Sequence, residues 1–304
     1  MAAHEEIEAA PRPGPVVPTE DAIAAARENP SAFRLMVRNR SVFWGGLLLL
    51  VMVLIGVFGP LLTSDPIALN PMKRLKPPSD ELLFGSDFLG RDIFARVVYG
   101  ARVSLVVGLA VAAISVTIGL FFGMIAGYIR VLDEIIMRVM DGLMAIPAIL
   151  LAIALISLSG ATLMTVIIAI TIPEIPRVVR LVRSVVLTVR DEPYVEAAIA
   201  AGSRLPLILR RHILPNTIAP LIVQATYICG SAMLTESILG FLGAGIPPEI
   251  PSWGNIMSEG RTYFQISPWI IFFPGLALGI TVLAVNVVGD GLRDTLDPRL
   301  ARKM

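Results

Sequence analysis

Apolar residues fill this chain in six long runs, separated by short polar or proline-rich stretches. A helix that crosses a bilayer needs roughly 20 mostly apolar residues. Runs of that length lie at about 42–63, 103–129, 135–158, 162–187, 218–241 and 269–288. The pattern predicts an all-α membrane protein with six transmembrane helices. Two runs are interrupted, the third by Asp141 and Pro147, the fourth by Pro173, Glu174, Pro176 and Arg177. Such breaks are tolerated where neighbouring helices or a water-filled cavity satisfy the freed backbone groups.

Arg34, Arg38 and Arg40 precede the first run, which puts the N-terminus in the cytoplasm by the positive-inside rule. Arg183, Arg190, Arg204, Arg210 and Arg211 then fall on the cytoplasmic side after the fourth run, and Arg293, Arg299, Arg302 and Lys303 after the sixth. The outer loop 245–267 holds only Arg261. The loop after the first run disagrees, with Lys73, Arg74, Lys76, Arg91 and Arg96, but it is long and nearly balanced by acids. On this reading both termini are cytoplasmic. Residues 1–32, acidic and proline-rich, form a flexible cytoplasmic tail and not a signal peptide, and order begins near Ser31. Residues 33–100 hold the first span and an extracytoplasmic loop, 101–290 a five-helix core, and 291–304 a cytoplasmic C-terminal tail.

Composition narrows the classes. The 304 residues are 55% hydrophobic and 16% charged, with a mean hydropathy of +0.77, unlike a soluble domain. A net charge of +1 argues against a nucleic-acid partner. Cys229 is the only cysteine, and His4 and His212 are the only histidines, so neither an internal disulfide nor a zinc-type cluster is expected. The chain has no G-x-x-x-x-G-K-[ST] phosphate loop. No enzymatic role and no cofactor is predicted for it.

One polar segment stands apart: EAAIAAGSRLPLILRRHILPN, residues 196–216. Glu196 to Ala201 is rich in alanine, the best helix former. Gly202 can supply the left-handed residue that ends such a helix. Ser203 can cap the next turn, which tolerates Pro206, and Pro215 is expected to stop the second helix before the fifth span. The result is a helix–kink–helix at the membrane surface. Its apolar face, Leu205, Ile208 and Leu209, would seat in a partner groove rimmed by Arg204, Arg210 and Arg211. The alternative is an interfacial loop whose arginines meet lipid headgroups.

Glu196-Ala197-Ala198, Gly202 and Leu214-Pro215 stand in the register of the EAA signature, and the segment resembles that loop of bacterial ABC importer permeases. His212 departs, standing where the signature has Ile, with Ile213 next. GSD-x-x-GRD with YGAR-x-SL (residues 85–105), the outer loop 239–261 and the tail 286–299 resemble the second, C-type permease of dipeptide and oligopeptide importers. The resemblance implies a type I ABC importer permease fold with a cytoplasmic coupling helix in the loop 190–216. It implies a homologous second permease subunit, two ATPase subunits that carry ATP and Mg, an extracytoplasmic substrate-binding protein, and residence in the bacterial cytoplasmic (inner) membrane. The implied ATPase-coupling residues are Glu196, Ala197, Ala198, Gly202, Ser203, Arg204, Leu205, Pro206, Leu209, Arg210, Arg211, Leu214 and Pro215. Nickel chelates, glutathione, opines or cell-wall peptides are alternative cargoes.

Charged residues within spans are costly and often functional. Glu174 and Glu236 are the candidates for the substrate path, where a carboxylate would attract a peptide ammonium group. The alternative is internal pairing, for Glu174 with Arg177 or Arg180. Asp141 is expected to pair with Arg138, three residues before it. Asp87, Arg91 and Asp92 are candidates for a binding-protein face, against a purely structural role in capping the helix that leads into the second span. Gly123 and Gly127 form a small-x-x-x-small pair that lets two helices approach closely, within the subunit or across subunits. An ion-coupled secondary transporter using Glu174 and Glu236, or an intramembrane enzyme, are the readings from other classes. Internal repeats for the first and a catalytic constellation for the second are not evident in the sequence.

Overall fold

The computed structural model describes residues 39–296, all-helical apart from turns and one isolated bridge between Ser86 and Asp92. The expected N-terminal tail 1–32, Ser31, Arg34 and Arg38, and the C-terminal Arg299, Arg302 and Lys303, lie outside the described residues. The helices are α1 (Arg40–Leu62), α2 (Ile93–Tyr128), α3 (Arg130–Ala145), α4 (Ala148–Ser159) and α5 (Leu163–Arg190). They continue with α6 (Pro193–Ala200), α7 (Leu205–Ile208), α8 (Leu214–Phe241), α9 (Trp253–Gly260) and α10 (Trp269–Leu296).

Among these, α1, α2, the stretch Leu205–Phe241 and α10 are each long and apolar enough to cross a membrane. The third expected span is a bent pair, α3 and α4, meeting at 88°. Pro147 is the reason: the residue before a proline is pushed out of the helical region, and Ile146 is extended at φ −92°, ψ 129°. The fourth behaves differently. Helix α5 runs unbroken for 28 residues through Pro173 and Pro176. Its charges, Glu174, Arg177, Arg180, Arg183 and Arg190, keep it from the apolarity of a lipid-facing span. It packs along α2 and touches α3, α4 and α8.

The α2–α5 contact settles where the glycine stripe goes. Gly119, Gly123 and Gly127 face Val178, Val182 and Val186, and an added Cβ would sit 2.4, 2.6 and 2.5 Å from the respective valine Cβ atoms. The stripe is therefore spent within the subunit. α1 is the opposite case: Phe43, Trp44, Leu50, Leu54, Val57 and Phe58 are exposed along it, as expected of a helix that borders lipid. Its base is tied to the other end of the chain, since Asn39 Nδ2 donates to the Gly291 carbonyl at 3.3 Å.

α2 begins ten residues before the expected span. Asp92 caps it, accepting from the Phe94 N–H at 2.9 Å, and Ser64 donates to the same carboxylate at 3.2 Å. Gly85 and Gly90 turn the preceding loop with φ of +75° and +78°. A side chain at Gly90 would run into the Asn70 carbonyl, 1.8 Å from its Cβ. Asp87 does not cap. It is wholly buried and accepts from Arg91 Nε at 2.5 Å and Arg96 Nη1 at 2.7 Å. Glu259 of α9 receives the same two guanidiniums, at 2.5 Å from Arg91 and 2.6 Å from Arg96. Two cations and two anions thus pin the short helix α9 to the start of α2. Trp253, also buried, adds a bond from Nε1 to the Val97 carbonyl at 3.0 Å, in space left by Gly100.

Several of the basic residues of this loop are paired within it or with α9. Arg91 and Arg96 are neutralised internally, and Lys73 is paired with Glu81, whose carboxyl is held below its usual range by that hydrogen bond.

Gly123→Val should destabilise the chain by about 1–3 kcal/mol, as overpacking does, while Gly142→Ala, with open space at its Cβ, should gain up to about 1 kcal/mol. Thermal unfolding of the purified protein in detergent checks both. Asp87→Asn leaves Arg91 and Arg96 short of a charge, and breaking a buried pair costs about 3–5 kcal/mol. The same melts should show a loss larger than that of Asp191→Asn, which removes an exposed pair with Arg190.

Candidate functional site

The segment 190–216 forms an exposed two-helix element. α6 ends in a Schellman motif, with the Ser203 N–H donating to the Ala198 carbonyl at 3.0 Å and the Gly202 N–H to Ile199 at 2.9 Å. Gly202 adopts φ +78°, the left-handed conformation expected of it. No atom lies within 4 Å of a Cβ built there, so the glycine is required by backbone angle and not by space.

Three local expectations are corrected. Ser203 does not cap the next helix. Arg204 occupies that position without a side-chain bond, because Ser203 already closes the Schellman motif. Pro215 does not stop the second helix. It sits in the first turn of α8, where a missing N–H is harmless. A π-turn over Leu209–Ile213 carries α7 into α8 without a break. The apolar face also differs: Ile208 is buried inside the subunit and Leu209 half-buried against the core. The outward residues are Tyr194, Ile199, Leu205 and Leu207.

The π-turn bears on His212. Such a turn spends one extra residue, and here it is Ile213 that turns inward, fully buried, while His212 remains half-exposed. His212 lies 6.0 Å from the Tyr194 ring, and its carbonyl accepts from Asn216 Nδ2 at 2.6 Å. Glu196, Ala197, Pro206 and Pro215 are exposed, and Ala198 and Leu214 half-buried. Arg204, Arg210 and Arg211 are exposed too, and neither they nor Glu196 form an ion pair among the described residues.

The spans hold their charges differently. On α5, Arg177 Nη1 bonds both oxygens of Glu174, at 3.0 and 3.1 Å, the internal pairing weighed for that carboxylate. Arg180, not Arg138, pairs with Asp141, at 2.6 Å. The 88° bend carries α3 alongside α5, so the partner comes from another helix. Arg183 forks onto Asp133, and Arg190 donates to the Gly127 carbonyl at 3.1 Å.

Glu236 has no arginine. It is fully buried and accepts from Ser104 at 3.3 Å and Ser237 at 3.4 Å, and it lines neither of the two cavities along α8. The two candidate carboxylates are not brought together. Glu174 and Arg177 border a cavity of about 290 Å³ with Gln224, Tyr227 and Ser231 of α8 and Asn286 of α10. These four lining residues were not anticipated. Gln224, Tyr227 and Ser231 follow the i, i+3, i+7 spacing of one helix face, a signal the sequence does carry. Asp87 and Arg91 are locked in the cluster described above, and Asp92 is a cap, so none of the three presents a free charge outward.

Comparison with known proteins agrees with this geometry. Residues 115–302 match the family described as binding-protein-dependent transport system inner membrane component. Residues 31–78 match the N-terminal TM domain of oligopeptide transport permease C. A probable peptide ABC transporter permease protein of Sinorhizobium fredii is 56% identical, over 89% of this chain and 93% of its own. The dipeptide transport system permease protein DppC of Alkalihalophilus pseudofirmus is 44% identical, over 93% and 94% respectively. The oligopeptide transport system permease protein OppC of Bacillus subtilis is 38% identical, over 87% of each. A chain of the MetNI methionine ABC transporter, solved in inward facing conformations, shares the fold with a TM-score of 0.55 at 20% identity, over 66% of this chain and 97% of its own. An all-helical chain with multiple apolar spans, matched over most of its length by such relatives, belongs to the binding-protein-dependent transport system inner membrane components.

Proposed function

We propose that this chain is the C-type permease subunit of an ATP-driven importer of di- and oligopeptides. It forms half of the translocation path beside a homologous second permease. Two ATPase subunits, carrying ATP and Mg, dock on its cytoplasmic side and that of its partner, and an extracytoplasmic binding protein delivers substrate. The peptide cargo follows from the named relatives, three of which are peptide, dipeptide or oligopeptide permeases. The chain itself performs no catalysis.

The observation that carries the reading is the exposed α6–α7 element. Four apolar side chains, Tyr194, Ile199, Leu205 and Leu207, face outward beside four charges without partners among the described residues. A net-anionic lipid surface favours the arginines and disfavours the glutamate. A protein groove with an apolar floor and a polar rim satisfies both. α6 and α7 act as the coupling helix, with Glu196 and the three arginines gripping the ATPase and Gly202 setting the kink.

The membrane layout follows. Counting the bent α3–α4 pair as one span and α5 as another gives six. The N- and C-termini and the coupling element are cytoplasmic, and the Asp87–Glu259 cluster is extracytoplasmic. Among the described residues, the first span and its loop run up to α2 at Ile93, and the five-span core runs from there through α10, which continues to Leu296. ATP closes the ATPase dimer, and because it binds that state better it shifts the permease equilibrium through the docked helices.

Gly202→Val forces a β-branched residue into the left-handed region, at a cost of about 1–2 kcal/mol. It meets no steric obstacle, so insertion and pairing with the second permease should survive. Peptide uptake by the reconstituted complex should fall at least tenfold while ATP hydrolysis persists. Transport at the wild-type rate would contradict the coupling role. Leu207→Asp should remove the ATPases from the complex purified in mild detergent, whereas retention at wild-type stoichiometry would contradict docking on this face.

A further inference from the structure

The cavity between α5, α8 and α10 pairs an unusual set of groups. Glu174 is nearly buried, but its partner Arg177 is 52% exposed. Only Nη1 of that guanidinium is used, and Nε and Nη2 make no hydrogen bond among the described residues. A membrane-embedded arginine is costly and is kept where it pairs or meets cargo, and a half-engaged guanidinium still offers a fork for a carboxylate. Ser231 donates to the same carboxylate, its Oγ 3.4 Å from Oε1, which Arg177 also bonds. Gln224 and Asn286 present neutral amides, each a donor and an acceptor. Gly230 leaves the room for Asn286, whose Oδ1 would lie 3.2 Å from a Cβ there. A second cavity, of about 630 Å³, shares Gln224 and Tyr227 with the first and continues along α8 to Asn216 and Pro215. From Leu234 to Pro215 this face spans roughly 28 Å at 1.5 Å per residue, close to the thickness of a bilayer core.

We propose that this cavity is a subsite for the charged termini of a short peptide. The α-carboxylate takes the free edge of Arg177, the α-ammonium takes Glu174, and the Gln224 and Asn286 amides meet the peptide backbone. The proposal rests on the peptide-import reading above and adds what the site recognises. An internal ion pair has no net charge, so it neither attracts nor repels the varied side chains of a peptide. A zwitterion is the ligand that can replace both halves of the pair at once and leave no charge alone in the membrane. A peptide blocked at either end leaves one half unmatched. The amides read N–H and C=O groups that every sequence shares, while Ile228 and Leu234 offer an indifferent apolar wall. At about 290 Å³ the space is near the lower bound of small-molecule sites, roughly 300 Å³, which suits the ends of a peptide better than a large side chain.

The test uses the whole reconstituted complex in proteoliposomes, with trialanine and trialanine amide as cargo. The same binding protein serves every permease variant, so its own preference cancels when each variant's free-to-amidated uptake ratio is divided by that of the wild type. Arg177→Gln should lower this ratio about tenfold, the value of one charge-assisted contact. Glu174→Gln should do the same for the ratio of trialanine to N-acetyl-trialanine. Gln224→Leu should slow all three peptides without changing either ratio. Unchanged ratios in both charge variants, with or without equal loss of all peptides, would overturn the proposal. Absence of uptake in the wild-type complex would instead reject the peptide-import reading on which it stands.

Discussion

The close approach of α2 and α5 is the constraint on which the remainder depends. Three glycines let the α2 backbone lie against Val178, Val182 and Val186. With no side chain on one partner, α5 is held mainly by shape, with Arg190 bonding the Gly127 carbonyl at one end, and its remaining polar residues serve its other faces. Arg180 and Arg183 reach α3, Glu174 reaches Ser231 on α8, and Arg177 reaches the cavity. The same helix leads directly into α6, so the glycine contact also sets where the α6–α7 element stands. A chain without that stripe would have to separate the helices, and the ion pairs on α5 would lose their partners.

As a rule, charges packed between the helices of this fold are matched at short range, with Glu236, held by serines alone, an exception. Asp87, Arg91, Arg96 and Glu259 neutralise one another beneath α9, and α5 carries a ladder of pairs to Asp133, Asp141 and its own Glu174. Buried pairs of this kind add little net stability over apolar packing, but removing one member is severe. They therefore act as locators, fixing which helix face meets which. The α6–α7 element departs from the rule, and an unmatched set of charges beside exposed leucines is what a docking surface presents.

The sequence made much of this legible where a periodic pattern acts alone. All six apolar runs became helices or a bent pair, α5 within three residues of its expected bounds and α2 ten residues early, and Pro147 marked the bend. Helix α5 differs from the other long helices in its charges and not in its length. The kink at Gly202 was readable because only the left-handed region explains a glycine between two short helices. The π-turn, the inward Ile208 and the Ser203 bond were not, since each depends on how the element is seated against α8. The Arg96–Glu259 and Arg180–Asp141 pairs lie 163 and 39 residues apart, and no local spacing joins them. The cavity-lining amides were visible as a helix face, but Asn286 belongs to it only once α10 is in place.

Crosslinking from position 207 tests the central claim most directly. Cys229 is buried, so a single exposed cysteine at Leu207 can be addressed on its own in native membranes with a short bifunctional reagent. The account predicts a crosslink from Leu207→Cys to an ATPase subunit, lengthened or lost when ATP is trapped, and none from Val57→Cys on the lipid-facing side of α1. A crosslink from position 207 to lipid only, with the ATPases present, would contradict it.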